Sequence, residues 1–231
     1  MHEKYTYLLV DLCCILIPFI FSFYPKINFY KQWRYFLAPC LLTALYFLVW
    51  DMIFTKAGIW SFNPRYVSGL YIYNLPIEEC LFFICIPYSC VFTYYCIDRF
   101  ITFQLGNTAI RLITVSLIAS LAIIGFTHLP QLYTSITFLL LAIWLCLGLI
   151  KYPGLLPVFY VSYLLILIPF FISNGILTGS IINRPTVLYN NNYNLGIRIL
   201  TIPVEDLFYA MLLILMNISG FEYLRKKATG K

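Results

Sequence analysis

The chain has 231 residues, of which 62% are hydrophobic, 19% aromatic and only 10% charged, with a mean hydropathy of +0.87. That balance excludes an ordinary soluble domain and leaves no room beside membrane spans for a catalytic module of the nucleotide-binding kind. The net charge of +6 is spread over loops and ends rather than gathered on one face, so it reads as orientation charge and not as a nucleic-acid footprint.

In chain order, apolar runs broken by turn and charge signals predict seven spans, at residues 5–24, 35–55, 76–97, 110–128, 132–150, 155–174 and 199–219. The first begins at once and is too long for a signal-peptide core, so it is expected to remain as a span. Most connectors are short and hold Pro25, Lys26, Gly106, Asn107, Pro130 or Pro153, whereas those before the third and seventh spans are longer and polar. Seven spans put Lys4, Lys56, Arg65, Arg184 and Arg198 on one face and Lys26, Lys31, Arg34, Arg99, Arg111, Lys151, Arg225, Lys226, Lys227 and Lys231 on the other. By the positive-inside rule the second face is cytoplasmic, which predicts a cell (inner) membrane protein with its N-terminus and both long loops outside and its C-terminus inside. All eight cysteines fall inside apolar stretches, where they read as small packing residues, and the only two histidines, His2 and His128, are far apart, so no metal site is expected.

The two long loops and the spans after them repeat with an offset of 127 residues. Asn63, Tyr66, Gly69, Pro76, Glu78 and Glu79 answer to Asn190, Tyr193, Gly196, Pro203, Glu205 and Asp206, and with a short insertion Asp51 and Thr55 answer to Asn174 and Thr178. The first and fifth spans run in the same direction, so the repeat is parallel. The expectation is an all-α polytopic fold in a single membrane domain. Its first repeat occupies residues 1–100, a linking helix 101–130 and the second repeat 131–231, with a pseudo-two-fold axis along the membrane normal.

Glu3, Asp98 and Glu222 lie at span ends or in tails, where water is expected to solvate them. Glu78, Glu79, Glu205 and Asp206 open helices directly after Pro76 and Pro203, residues suited to a first helical turn. An acid there offsets the helix dipole by about 0.3–1 kcal/mol. That accounts for one acid per helix, but less well for adjacent pairs in both copies, each followed at once by Leu81-Phe82-Phe83 or Leu207-Phe208-Tyr209. Successive helical residues differ by about 100° of rotation, so the two acids of a pair cannot face one target. Glu78 shares a face with Phe82, and Glu205 with Phe208 and Tyr209, which makes Glu78 and Glu205 the expected acid and base. Glu79 and Asp206 are expected to tune them, by pairing with Arg65, Arg198 or a loop amide or by like-charge repulsion, although either member of a pair meets the chemical requirement. Asp51 reads either as a hydrogen-bonding partner of this cluster or as a snorkelled interfacial acid. Asp11 is a weaker candidate, with no acid at the matching place in the fifth span. Trp60, Phe62 and Tyr66 before the first motif, and Tyr189 and Tyr193 before the second, are placed to roof a shared cavity. The expected substrate-lining set is Asp51, Trp60, Asn63, Tyr66, Phe82, Phe83, Tyr193, Phe208 and Tyr209.

The repeated Pro-x-Glu-Glu/Asp followed by aromatics, with Gly58 to Pro64 upstream of the first copy and Leu195 to Asp206 carrying the second, resembles the small integral-membrane lycopene cyclases. These occur as two subunits in actinobacteria and as one fused domain in archaea and fungi, and this chain resembles the fused form. The resemblance implies cyclisation of the linear ends of lycopene to β-ionone rings, without net redox change and without flavin or any other cofactor. It implies lycopene and the lipid bilayer as partners, with a homo-oligomer or contacts to other carotenoid enzymes as further options. The family motif maps to Pro76, Glu78, Glu79, Phe82 and Phe83 in the first copy and to Pro203, Glu205, Asp206 and Tyr209 in the second. There Ala210 replaces the last aromatic, so the second copy is expected to be unequal to the first. A retinal protein would need a lysine buried in the last span, and none lies between Lys151 and Lys226; a prenyltransferase would need aspartate-rich motifs, and none occurs. The remaining alternatives are a proton or ion transporter, for which acids at several depths would be expected, and a non-catalytic carotenoid-binding subunit.

Overall fold

Apolar runs of 16 to 26 residues become helices, because a chain in hydrocarbon must satisfy its backbone hydrogen bonds within the segment. The structure is a computed structural model that describes residues 3–101 and 106–229; His2, Lys231 and part of the expected linking segment lie outside the described residues. Among the described residues, seven helices are long and apolar enough to cross a membrane: α1 (Thr6–Phe21), α2 (Trp33–Lys56), α3 (Ile77–Phe100), α4 (Asn107–Thr127), α5 (Leu132–Lys151), α6 (Leu156–Leu177) and α7 (Val204–Thr229). The all-α polytopic fold expected from the sequence is the one observed. The last helix runs past the expected end at 219, because its charged turn is paired. Arg225 meets Asp98 at the end of α3 at 2.8 Å and Glu222 one turn back at 2.8 Å. Glu222, expected in water, is in fact buried.

α1 packs on α3 and α5 on α7; α3 and α7 meet at the centre, α2 leans on both of them, and α6 leans mainly on α3. α4 packs chiefly on α5, at the edge. At the α2–α7 crossing Gly220 lies so close to Pro39 that an added Cβ would sit 2.6 Å from it; small residues allow such close approach in membranes.

The long loops carry the symmetry in their backbone. β1 (Trp60–Phe62) pairs antiparallel with β4 (Val187–Tyr189), which holds both loops on one face of the bundle. Ser61 faces Leu188, its own counterpart at the 127-residue offset, so the pseudo-two-fold axis passes between them. The flanking bonds are reciprocal. Asn63 donates from its amide nitrogen to Thr186 and from its side chain to Pro185, while Asn190 donates from the same two groups to Ile59 and Gly58. Each loop then turns through a short hairpin, β2–β3 (Tyr71–Ile72 and Leu75–Pro76) in the first copy and β5–β6 (Arg198–Ile199 and Ile202–Pro203) in the second. Both hairpins place a bulky residue at positive φ in the turn, Tyr73 at 59° and Leu200 at 58°. Pro76 has φ −64° and ψ 150° and caps α3 from outside, one position earlier than a first-turn proline.

Candidate active site

Starting α3 and α7 at a proline just after a tight hairpin fixes which way each acid points. Ten residues before the first acid of each pair, a loop amide folds back onto it. Ser68 N donates to Glu78 Oε1 at 2.7 Å, and Leu195 N donates to Glu205 Oε1 at 2.7 Å, joined there by the Thr134 hydroxyl at 2.6 Å. Both glutamates are completely buried, and neither is among the residues lining the cavity described next. One helical step on, Glu79 and Asp206 turn inward to a cavity of about 700 Å³.

The polar end of that cavity is built from both halves. Tyr7 donates to Glu79 Oε2 at 2.6 Å, and Tyr209 donates to Asp51 Oδ1 at 2.9 Å, bridging α7 to α2. The Asp51 and Glu79 side chains hydrogen-bond to each other. Two carboxyl groups in such contact need a proton between them. Asp206 is served differently, by three donors: Tyr133 at 2.7 Å, Asn174 at 2.8 Å and Tyr189 at 2.9 Å. Burial and the neighbouring Asp206 push the Tyr189 phenol well above its ordinary value, which keeps it a donor. Trp60 lies over this cluster, with ring centroids 5.2 Å from Tyr133 and 6.2 Å from Tyr189.

Of the residues expected from the sequence, Asp51, Trp60, Glu79, Phe82, Asp206 and Tyr209 line the cavity, as do the expected roof residues Phe62 and Tyr189. The others do not. Asn63 locks the two loops, Tyr66 is buried beneath α1 with its backbone oxygen accepting from Tyr7 N, and Phe83 packs on Phe47. Phe208 packs on Phe138, and Tyr193 lies partly buried outside the cavity. Neither Arg65 nor Arg198 reaches an acid of the pairs: Arg65 pairs with Glu3, and Arg198 bonds to Thr201 and Asn191. Tyrosines occupy the places expected for arginines, because a phenol satisfies a buried carboxyl without bringing in a second charge to desolvate. Asp11 is buried in α1 and is not among the residues that line the cavity. Sequence reasoning missed Tyr7 and Tyr133. The signal was present, since they stand 126 residues apart at matching places on α1 and α5.

The comparisons with known proteins bear on this arrangement directly. The family profile described as lycopene cyclase matches residues 4–97 and 130–224, one segment for each half of the site. The chain belongs to the lycopene cyclase family. The two matched segments stop within α3 and α7 and leave out the whole of α4, the helix at the edge. A curated relative, the bifunctional lycopene cyclase/phytoene synthase of Podospora anserina, is 29% identical over 84 residues, which is 36% of this chain and 13% of the relative. The matched part of the chain thus spans about an eighth of that larger protein. No solved structure matches the chain significantly.

Proposed function

We propose that the protein is a lycopene β-cyclase, an isomerase that closes the linear ends of lycopene to β-ionone rings, by way of γ-carotene to β-carotene, with no net redox change. One observation carries the reading. One apolar cavity ends in two carboxyl groups in contact, Asp51 and Glu79, and a third, Asp206, held by three donors.

In this reading the Asp51–Glu79 pair gives its proton to the terminal double bond, forming a C–H bond and a tertiary cation. The next double bond attacks that cation and closes the ring with a new C–C bond. Asp206 removes a proton from the ring, and a double bond is restored. One proton enters the hydrocarbon and one leaves, so the step balances without oxidant or reductant. The π faces of Trp60, Phe82 and the tyrosines attract the passing cation, and a water-poor site protects it from capture. The roles within each acidic pair are thereby exchanged relative to the sequence expectation, with Glu78 and Glu205 holding loops and Glu79 and Asp206 doing chemistry. Lycopene and the bilayer are the partners. The proposed location is the cell membrane, and the charge asymmetry of the loops supports an orientation with the catalytic end on the outer side.

The test is expression in a lycopene-accumulating bacterium, with chromatography of the pigments. Glu79→Gln, Asp51→Asn and Asp206→Asn are each expected to slow ring closure by about 10²–10⁴-fold, the usual contribution of a positioned acid or base. Unchanged lycopene beside well-folded wild-type protein would reject the reading.

A further inference from the structure

The bundle is nearly symmetric, but its cavity is not. Helices α1 and α6 supply much of its wall, whereas their counterparts α5 and α2 supply only Tyr133 and Asp51. The repeat explains why. The offset of 123 that equates Asp51 with Asn174 also equates Trp50 with Ser173, and the offset of 127 equates Phe83 with Ala210. On the α2–α5 side, Trp50 stacks on Phe47 at 5.5 Å and meets Tyr209 at 5.3 Å, and Phe83 closes on Phe47 at 5.7 Å. The space is full of rings. On the α1–α6 side, the two bulky residues are replaced by Ser173 and Ala210, and both line the cavity. Two large-to-small differences open one half and leave the other packed.

The open half also has a mouth. On α1, Leu9, Cys13 and Ile17 recur every four residues, and on α6 Pro169 and Ile172 lie one turn apart. All five line the cavity and are also exposed on the outside of the bundle, where lipid would lie. Along α3 the lining runs from Glu79 to Thr93, about 21 Å at the helical rise of 1.5 Å per residue, so the slot is long and ends at the carboxyl cluster.

We infer that a linear polyene enters end-first from the bilayer through the slot between α1 and α6, and that this is the protein's one loading side, the symmetry-related side being closed by Trp50 and Phe83. The inference rests on the cyclase reading for the identity of the polyene, but its geometry is independent of the chemistry. Ser173 and Ala210 are then the residues that admit substrate, and the departure at Ala210 opens the site.

The decisive comparison uses symmetry-equivalent positions on the bundle surface. Ile172→Trp narrows the slot, whereas Val49→Trp puts the same bulk at the matching place on α2, which is also exposed. Ser173→Trp installs the ring that fills the closed half. Each variant is purified from lycopene-accumulating cells, and two quantities are read: carotenoid bound per protein, whatever its ring state, and the fraction cyclised. Ile172→Trp and Ser173→Trp are expected to lower bound carotenoid by about tenfold or more, with Val49→Trp matching wild type. Equal loss in Val49→Trp and Ile172→Trp, or undiminished carotenoid in folded Ser173→Trp, would overturn the loading side. If Ser173→Trp fails to fold, the surface pair decides alone. Wild-type protein that binds lycopene in this pattern without cyclising it would leave the loading side standing and remove the cyclase reading.

Discussion

Glu205 and Asp206 are neighbours in sequence, yet a single helical step gives them different work. Glu205 accepts from Leu195 N and the Thr134 hydroxyl and closes the loop onto the bundle; Asp206 takes its donors from three other elements and faces the cavity. Glu205→Ala should therefore cost about 1–3 kcal/mol by leaving two buried donors unpaired. Glu205→Gln keeps an oxygen in place and should cost less, and thermal unfolding in detergent distinguishes the two. That each half opens a helix with an acidic pair was legible in the sequence, because polar residues repeated in register stand out in an apolar chain. Which acid faces inward was not. Helical rotation says that neighbours diverge, but only the loop amides at Ser68 and Leu195, folding back across ten residues, decide the direction.

At the scale of elements, the helices were readable from apolar length, and their misjudged ends have physical causes. α7 outran its expected end because Arg225 binds Asp98 and Glu222. The close crossings were harder to foresee, since a glycine in an apolar run carries no sign of what it touches. Gly220 touches Pro39 of α2. Gly220→Ala is expected to push α2 and α7 apart and destabilise the bundle by about 1–3 kcal/mol, as overpacking does, whereas Gly154→Ala, with nothing within 4 Å of the new Cβ, should be near neutral. Unfolding midpoints measured side by side check this. The strands lay beyond sequence reading, because segments of two or three residues carry no usable alternation.

For the molecule as a whole, the duplication was the most informative thing in the sequence, and the site shows what it is for. Tyr7, Asp51 and Glu79 come from one half and Tyr133, Asn174, Asp206 and Tyr209 from the other, with the Tyr209–Asp51 bond joining them. Residues 1–105 and 106–231 made as separate chains in the same cell are therefore expected to restore ring closure, while either alone leaves lycopene untouched; pigment chromatography reads the result. What the repeat concealed was its inequality, since the exchange of Trp50 for Ser173 lies in an apolar stretch that no motif marks. The reciprocal asparagines carry one more consequence. Asn63 and Asn190 each give the opposite loop what they receive from it, across an axis through Ser61 and Leu188. Such a contact is isologous, the kind two identical chains make with each other. A half-length ancestor bearing this loop would already have been self-complementary, able to pair as a homodimer before any gene fusion joined its copies.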